Sequence, residues 1–196
     1  MRLHAIDLPN RRYSNGWNWI RRSRELNLSL FYRLRQGLSG LRPVLPPTLD
    51  SDLRAALTPD QISAFKRLTA YDQLHLLRVY RFTRVSDPTN TNLHQAALLH
   101  DLGKAALGGR VRLINRAANV LLAKVTPRLN KHLARLPASR WRLGLALALH
   151  HPELGAAWAE ELGCSERCVW LIRHHADNPA PDDLDLLLLI HADRSV

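Results

Sequence analysis

From Asp50 onward, apolar residues recur every three or four positions, the period of α-helices that turn one face to a core. Alternating β-branched runs, which would mark strands, do not occur. Thr58-Pro59-Asp60-Gln61 combines a threonine cap, a proline at the first helical position and a glutamine at the third, and Ile62, Phe65 and Leu68 follow at helical spacing. A second helix is predicted over 71–85, with Leu74, Leu77, Val79 and Phe82 apolar. Asn92 can cap a short helix through Leu93, Ala96, Ala97 and Leu99 that ends at Gly103. Further helices are predicted at about 110–125, 127–136 and 140–150. Pro152 is suited to open another over 152–162, Ser165 to cap 165–175, and the last runs over about 182–193. The pattern predicts an all-α fold.

Residues 1–50 read differently. Asn10, Ser14-Asn15-Gly16, Gly37, Ser39-Gly40, Pro43, Pro46 and Pro47 punctuate them and confine any helix to about 19–38. We therefore expect a basic N-terminal extension at 1–50 and one helical domain at 51–196, a length sufficient for a sizeable core. Trp17, Trp19, Ile20, Leu28, Leu30, Phe31 and Leu34 could pack onto that domain or onto a partner. No apolar run approaches the roughly 18–20 residues a bilayer span needs. Arg21, Arg22, Arg24 and Glu25 interrupt any signal-peptide core, so cytoplasmic residence is the expectation. Cys164 and Cys168 lack further ligands nearby and are read as small, partly buried hydrophobes.

The formal charge of +11 is unevenly placed. Residues 1–42 carry nine Lys/Arg against two acids, and residues 104–142 carry ten with no acid at all. Residues 152–196 reverse this, with nine acids against three bases. Basic stretches of this kind attract phosphates, nucleic acid or an anionic membrane surface, and the plainer alternative is a solvated helical face.

The chemistry concentrates where apolar runs end. Leu98-Leu99-His100-Asp101-Leu102-Gly103-Lys104 sets an imidazole and a carboxylate side by side, so that one backbone corner can offer both to a cation. His75, His151, the pair His174-His175 and Asp193 stand at spacings of tens of residues. An ionisable group at a core-facing helix end is costly unless it has a partner, and a metal cluster would satisfy all of these together. His4, His94, His132 and His191 lack such context and are read as ordinary surface or core residues.

In this order the residues resemble the HD-domain metal-dependent phosphohydrolases, over about residues 55–196. The matching elements are Asp72-Gln73-Leu74-His75, Ala97-Leu98-Leu99-His100-Asp101-Leu102-Gly103-Lys104, His151-Pro152-Glu153-Leu154-Gly155-Ala156, Leu171-Ile172-Arg173-His174-His175 and Ala192-Asp193. The resemblance implies an HD-domain-like helical bundle holding two divalent metal ions. His75, His100, Asp101 and Asp193 would hold one ion, and His151, His174 and His175 the other, with Asp101 bridging. His150 competes with His151, which is preferred because Pro152 and Gly155 follow it as in the family's His-Pro-x-x-Gly element. Five imidazoles favour transition ions over magnesium, and the resemblance suggests iron or manganese.

The implied reaction uses the binuclear centre to activate water for hydrolysis of a phosphomonoester, nucleotide or phosphodiester, with Asp101 and Lys104 as catalytic residues. Lys104 would also bind substrate phosphate, Gly103 would let substrate approach closely, and Arg110, Arg112 and Arg116 are candidates for outer phosphate contacts. Members that cleave cyclic dinucleotides carry Gly-Tyr-Pro after the paired histidines, where this chain has Ala176-Asp177-Asn178-Pro179. Two other readings stand beside this one: a di-iron oxygenase on the same fold, or a regulatory module that binds nucleic acid or membrane and keeps its metals as structural elements.

Overall fold

The computed structural model describes residues 43–177 and 181–196. The helix expected at 19–38, the apolar residues around it, His4 and the Asn178-Pro179 breaker lie outside the described residues. Nine α-helices and one 3-10 segment organise the rest, and no strand occurs among the described residues. In chain order they are α1 (Leu49–Arg54), α2 (Pro59–Phe65), α3 (Ala70–Ser86), α4 (Thr91–Leu99), the 3-10 segment (Leu102–Gly108), α5 (Leu113–Val125), α6 (Pro127–Leu133), α7 (Leu143–Glu161), α8 (Glu166–His174) and α9 (Leu184–Ser195). None of these helices is long and apolar enough to cross a membrane.

Local chemistry sets most boundaries. Thr58 and Gln61 form the reciprocal capping box that opens α2. Thr69, Ser165 and Asp183 each accept a backbone N–H of the first turn of α3, α8 and α9. Asn90, rather than Asn92, caps α4 by accepting from Leu93 N, while Asn92 accepts a hydrogen bond from Ser165 Oγ. Helix α7 closes in a Schellman motif: Cys164 N donates to Ala159 O and Gly163 N to Glu160 O, with Gly163 at φ +72°.

The core forms where α3, α4, α8 and α9 pack on one another, with Leu76, Leu77, Leu93, Leu98, Leu99, Leu171, Ile172 and Leu186 fully buried. Leu49 and Leu53 of α1 belong to the same core, which therefore begins before the expected boundary at residue 51. Gln61 ties α2 to the end of α7 through Leu162 O at 3.2 Å. Arg167 joins Asp183 at 2.7 Å and Asp185 at 2.6 Å, fixing the start of α9 on α8.

Two expectations are corrected along α7. Pro152 does not open a helix; it lies inside α7, so the predicted 140–150 and 152–162 segments are one element and His151 is not at a cap. Proline removes one i→i−4 bond, here the one to Ala148 O, and a long helix tolerates that when the freed carbonyl finds another donor. Gly103, expected to admit substrate, is instead buried against α7, the most extensive helix contact in the domain. A Cβ there would collide with His151 O and stand 2.7 Å from Gly155 N. Those obstacles are backbone and cannot swing away. Gly103→Ala is therefore expected to destabilise the fold by about 1–3 kcal/mol in urea unfolding, and an unchanged midpoint would contradict this packing.

Candidate metal centre

The core packing brings six of the predicted side chains into one cluster from five elements. His75 comes from the middle of α3, His100 and Asp101 from just past α4, His151 from α7, His175 from the cap of α8 and Asp193 from α9. His75 Nε2 lies 2.7 Å from Asp193 Oδ1, and His100 Nε2 lies 3.5 Å from the same oxygen. On the other side, His151 Nε2 stands 3.5 Å and His175 Nε2 4.0 Å from Asp101 Oδ1, and the two nitrogens are 3.2 Å apart. Asp101 thus faces two sets of imidazoles. His75, His100 and Asp101 form one group whose ligand atoms lie within 4.8 Å of one another, and Asp101, His151 and His175 form a second. Either group could hold a metal ion.

Three of the imidazoles are oriented by the same device. Nδ1 of His100, His151 and His175 meets the carbonyl three residues earlier, at 3.2 Å to Ala97, 3.0 Å to Ala148 and 2.7 Å to Ile172. A carbonyl only accepts, so Nδ1 carries the proton, and in the neutral ring Nε2 is left with a lone pair. Each carbonyl is one its helix leaves without an i+4 partner: two lie at C-terminal ends, and the third is freed by Pro152. The sequence element His151-Pro152 thereby supplies both the ligand and the acceptor that orients it.

The resulting Nε2 atoms fit a cation. Nε2 of His100 is buried and makes no hydrogen bond among the described residues, an arrangement that is costly for an imidazole acceptor. The facing lone pairs of His151 and His175 repel one another unless a positive charge lies beside them. Neutral imidazole and carboxylate are the donor set of transition ions rather than of magnesium.

Electrostatics favour the neutral form of His151 and His175 and the charged form of His100. Burial, reinforced by the Lys104 charge, pushes His151 down to about 3. Burial, reinforced by His100, pushes His175 down to about 4. Burial also disfavours the charged form of His100, but Asp101 and Asp193 outweigh it and hold its pKa above the ordinary value. Burial alone would raise the two aspartates; Lys104, His100 and His151 instead hold Asp101 well below the carboxylate range, and His100 and His75 do the same for Asp193.

His174 is not brought into the cluster. Neighbours on a helix diverge by about 100°, and its ring lies instead on Trp170 while its Nδ1 meets Asp177 Oδ2 at 2.7 Å. His151, not His150, belongs to the ligand groups. Lys104 Nζ pairs directly with Asp101 Oδ2, one turn away. Arg110 and Arg112 are exposed, whereas Arg116 reaches inward to pair with buried Asp72 and lies over Tyr71, with its centre 5.0 Å from the ring centroid. Asp72 is the residue the sequence reading left without a role; its buried pairing with a cation 44 positions away has no local signal. His94 is a buried core residue whose Nε2 donates to Asp87 O at 2.8 Å, and His191 packs on Phe82.

No family model, no curated protein and no solved structure matches this chain.

Two measurements check the centre. Elemental analysis of purified protein is expected to show metal that His100→Gln removes and His174→Gln leaves in place; equal loss in both would place His174 among the ligands. The second concerns the metal-free protein. His151 and His175 take up protons in the unfolded chain below about 6.5 but in the fold only near 3 and 4. The unfolded state therefore binds more protons in that interval, and stability falls as pH drops from about 6.5 towards 4. Thermal unfolding of chelator-treated protein is expected to follow that slope, and His151→Gln to flatten it.

Proposed function

We propose that this chain is a phosphohydrolase of the HD-domain type, holding two divalent transition ions, iron or manganese, and cleaving a phosphomonoester, nucleotide or phosphodiester bond. The observation that carries this reading is the Asp101 carboxylate, set between two histidine groups with a lysine on its outer oxygen. His75, His100 and Asp193 would complete one site around Asp101, and His151 and His175 the other.

Divalent ions held there supply Lewis acidity toward water and phosphoryl oxygen. The protein's own residues do the rest. The carbonyls of Ala97, Ala148 and Ile172 hold three Nε2 lone pairs inward, so the ligand set is organised before anything binds. Lys104 is half-buried beside Asp101 and provides a fixed cation for a phosphoryl or leaving-group oxygen. Arg116, steadied by Asp72, adds a second positive charge whose field reaches Asp101. Cations at Lys104 and Arg116 favour an anionic substrate over the neutral polyol that an oxygenase of this fold would take.

The test is elemental analysis followed by a phosphate-release screen over nucleotides, phosphomonoesters and phosphodiesters. About two equivalents of iron or manganese and hydrolysis of at least one class are expected. Lys104→Gln is expected to keep the metal and lower kcat on the order of 10²-fold. Fully loaded protein that releases no phosphate but consumes oxygen would sink the proposal.

A further inference from the structure

Helices α5 and α6 pack on one another just after the 3-10 segment, and α5 also packs on α7. Asn130 is buried between them and donates to Asn119 Oδ1 at 2.8 Å, while Arg142 closes the base through Leu133 O at 3.1 Å. A surface helix normally turns its apolar stripe inward. Here the stripe faces out: Ile114 is 73% exposed, Leu121 62% and Val125 66%, and these positions share one helical face. Leu129 of α6 and Trp141 beyond it are exposed as well. Lys124, Arg128 and Lys131 are exposed alongside, within a stretch that contains no acid from 104 to 142.

We propose that the outer face of α5 and α6 docks on an anionic phospholipid surface. The combination selects this occupant. Aliphatic side chains gain nothing from a phosphodiester backbone, but they leave water when they enter the headgroup and acyl boundary, and Trp141 is the aromatic type that favours that depth. The basic residues match anionic headgroups, each adding about fivefold to affinity near such a surface. Residues 1–42 carry nine Lys/Arg against two acids, so repulsion of like charge disfavours them as a cover for this face. The inference is independent of the reaction proposed above, since it concerns a face distant in role from the ligands.

Cosedimentation of the full chain with vesicles tests it. Binding is expected to mixed phosphatidylcholine–phosphatidylglycerol vesicles, to weaken with salt, and to be about tenfold or more weaker on phosphatidylcholine alone. The triple variant Ile114→Ser, Leu121→Ser, Val125→Ser is expected to lose about tenfold or more in partitioning while keeping its thermal unfolding and metal content. If that variant bound vesicles as the unaltered chain does, the contact would belong to residues 1–42 and the proposal would be overturned. It would equally be overturned if the face bound oligonucleotides but not vesicles. So too if sedimentation velocity showed a dimer that the triple variant abolishes, with no vesicle binding.

Discussion

Burying charge in a helical core governs this structure. His100, Asp101 and His175 are almost fully buried among leucines, where an unpaired ion or an unmade hydrogen bond costs several times what it would at the surface. Each member of the cluster is tolerable only because of the others. Lys104 offsets Asp101; His75 and His100 offset Asp193; Asp101 and Asp193 in turn keep His100 above its ordinary pKa. The lone pairs of His151 and His175 are the part of this balance that protein atoms do not complete. They turn toward one another, and a cation placed between them would resolve their conflict.

Backbone geometry explains why the imidazoles can meet at all. A helix end leaves carbonyls without partners, and an imidazole just beyond that end can bend back and satisfy one of them. His100 and His175 do so at the ends of α4 and α8. His151 has no end available, because α7 continues for ten residues past it, to Glu161. Pro152 creates the equivalent of an end inside the helix, freeing Ala148 O without interrupting the element. The helix can then press its backbone on Gly103 and still turn the His151 imidazole toward the cluster. The tight seam and the oriented ligand are two consequences of neighbouring residues.

Much of this was legible in the sequence, and the parts that were not share a cause. Caps are local, so Thr58 with Gln61 and Ser165 could be read directly. The His100-Asp101 corner was legible because an imidazole and a carboxylate adjoin at the end of an apolar run. The choice between His174 and His175 was not, since it depends on how α8 is rotated against α4; buried Leu171 and Ile172 set that rotation, and Trp170 and Asp177 hold His174 away. Asn90 and Asn92 are equally good caps in isolation, and Ser165 engages Asn92 from 73 positions away. Pro152 carries the same ambiguity, because a proline that opens one helix and a proline inside a longer one look alike until packing decides. Gly103 misled for the related reason that a glycine admits either a ligand or a neighbouring backbone.

The division of charge follows from the same architecture. Four of the nine acids of 152–196 meet cations or imidazoles: Asp183 and Asp185 with Arg167, Asp177 with His174, Asp193 with His75 and His100. The bases of 104–142 have no acid of their own segment to meet, and among them Lys104 and Arg116 turn inward to Asp101 and Asp72. Those two contacts anchor the start of a segment whose other cations are exposed, apart from half-buried Arg142. Beyond the paired Lys104 and Arg116, the acid-free stretch 104–142 keeps an excess of positive charge that biases approach toward anions. A neutral ligand would derive no benefit from such a field, and a helix face that only needed solubility would not leave Ile114, Leu121 and Val125 beside it.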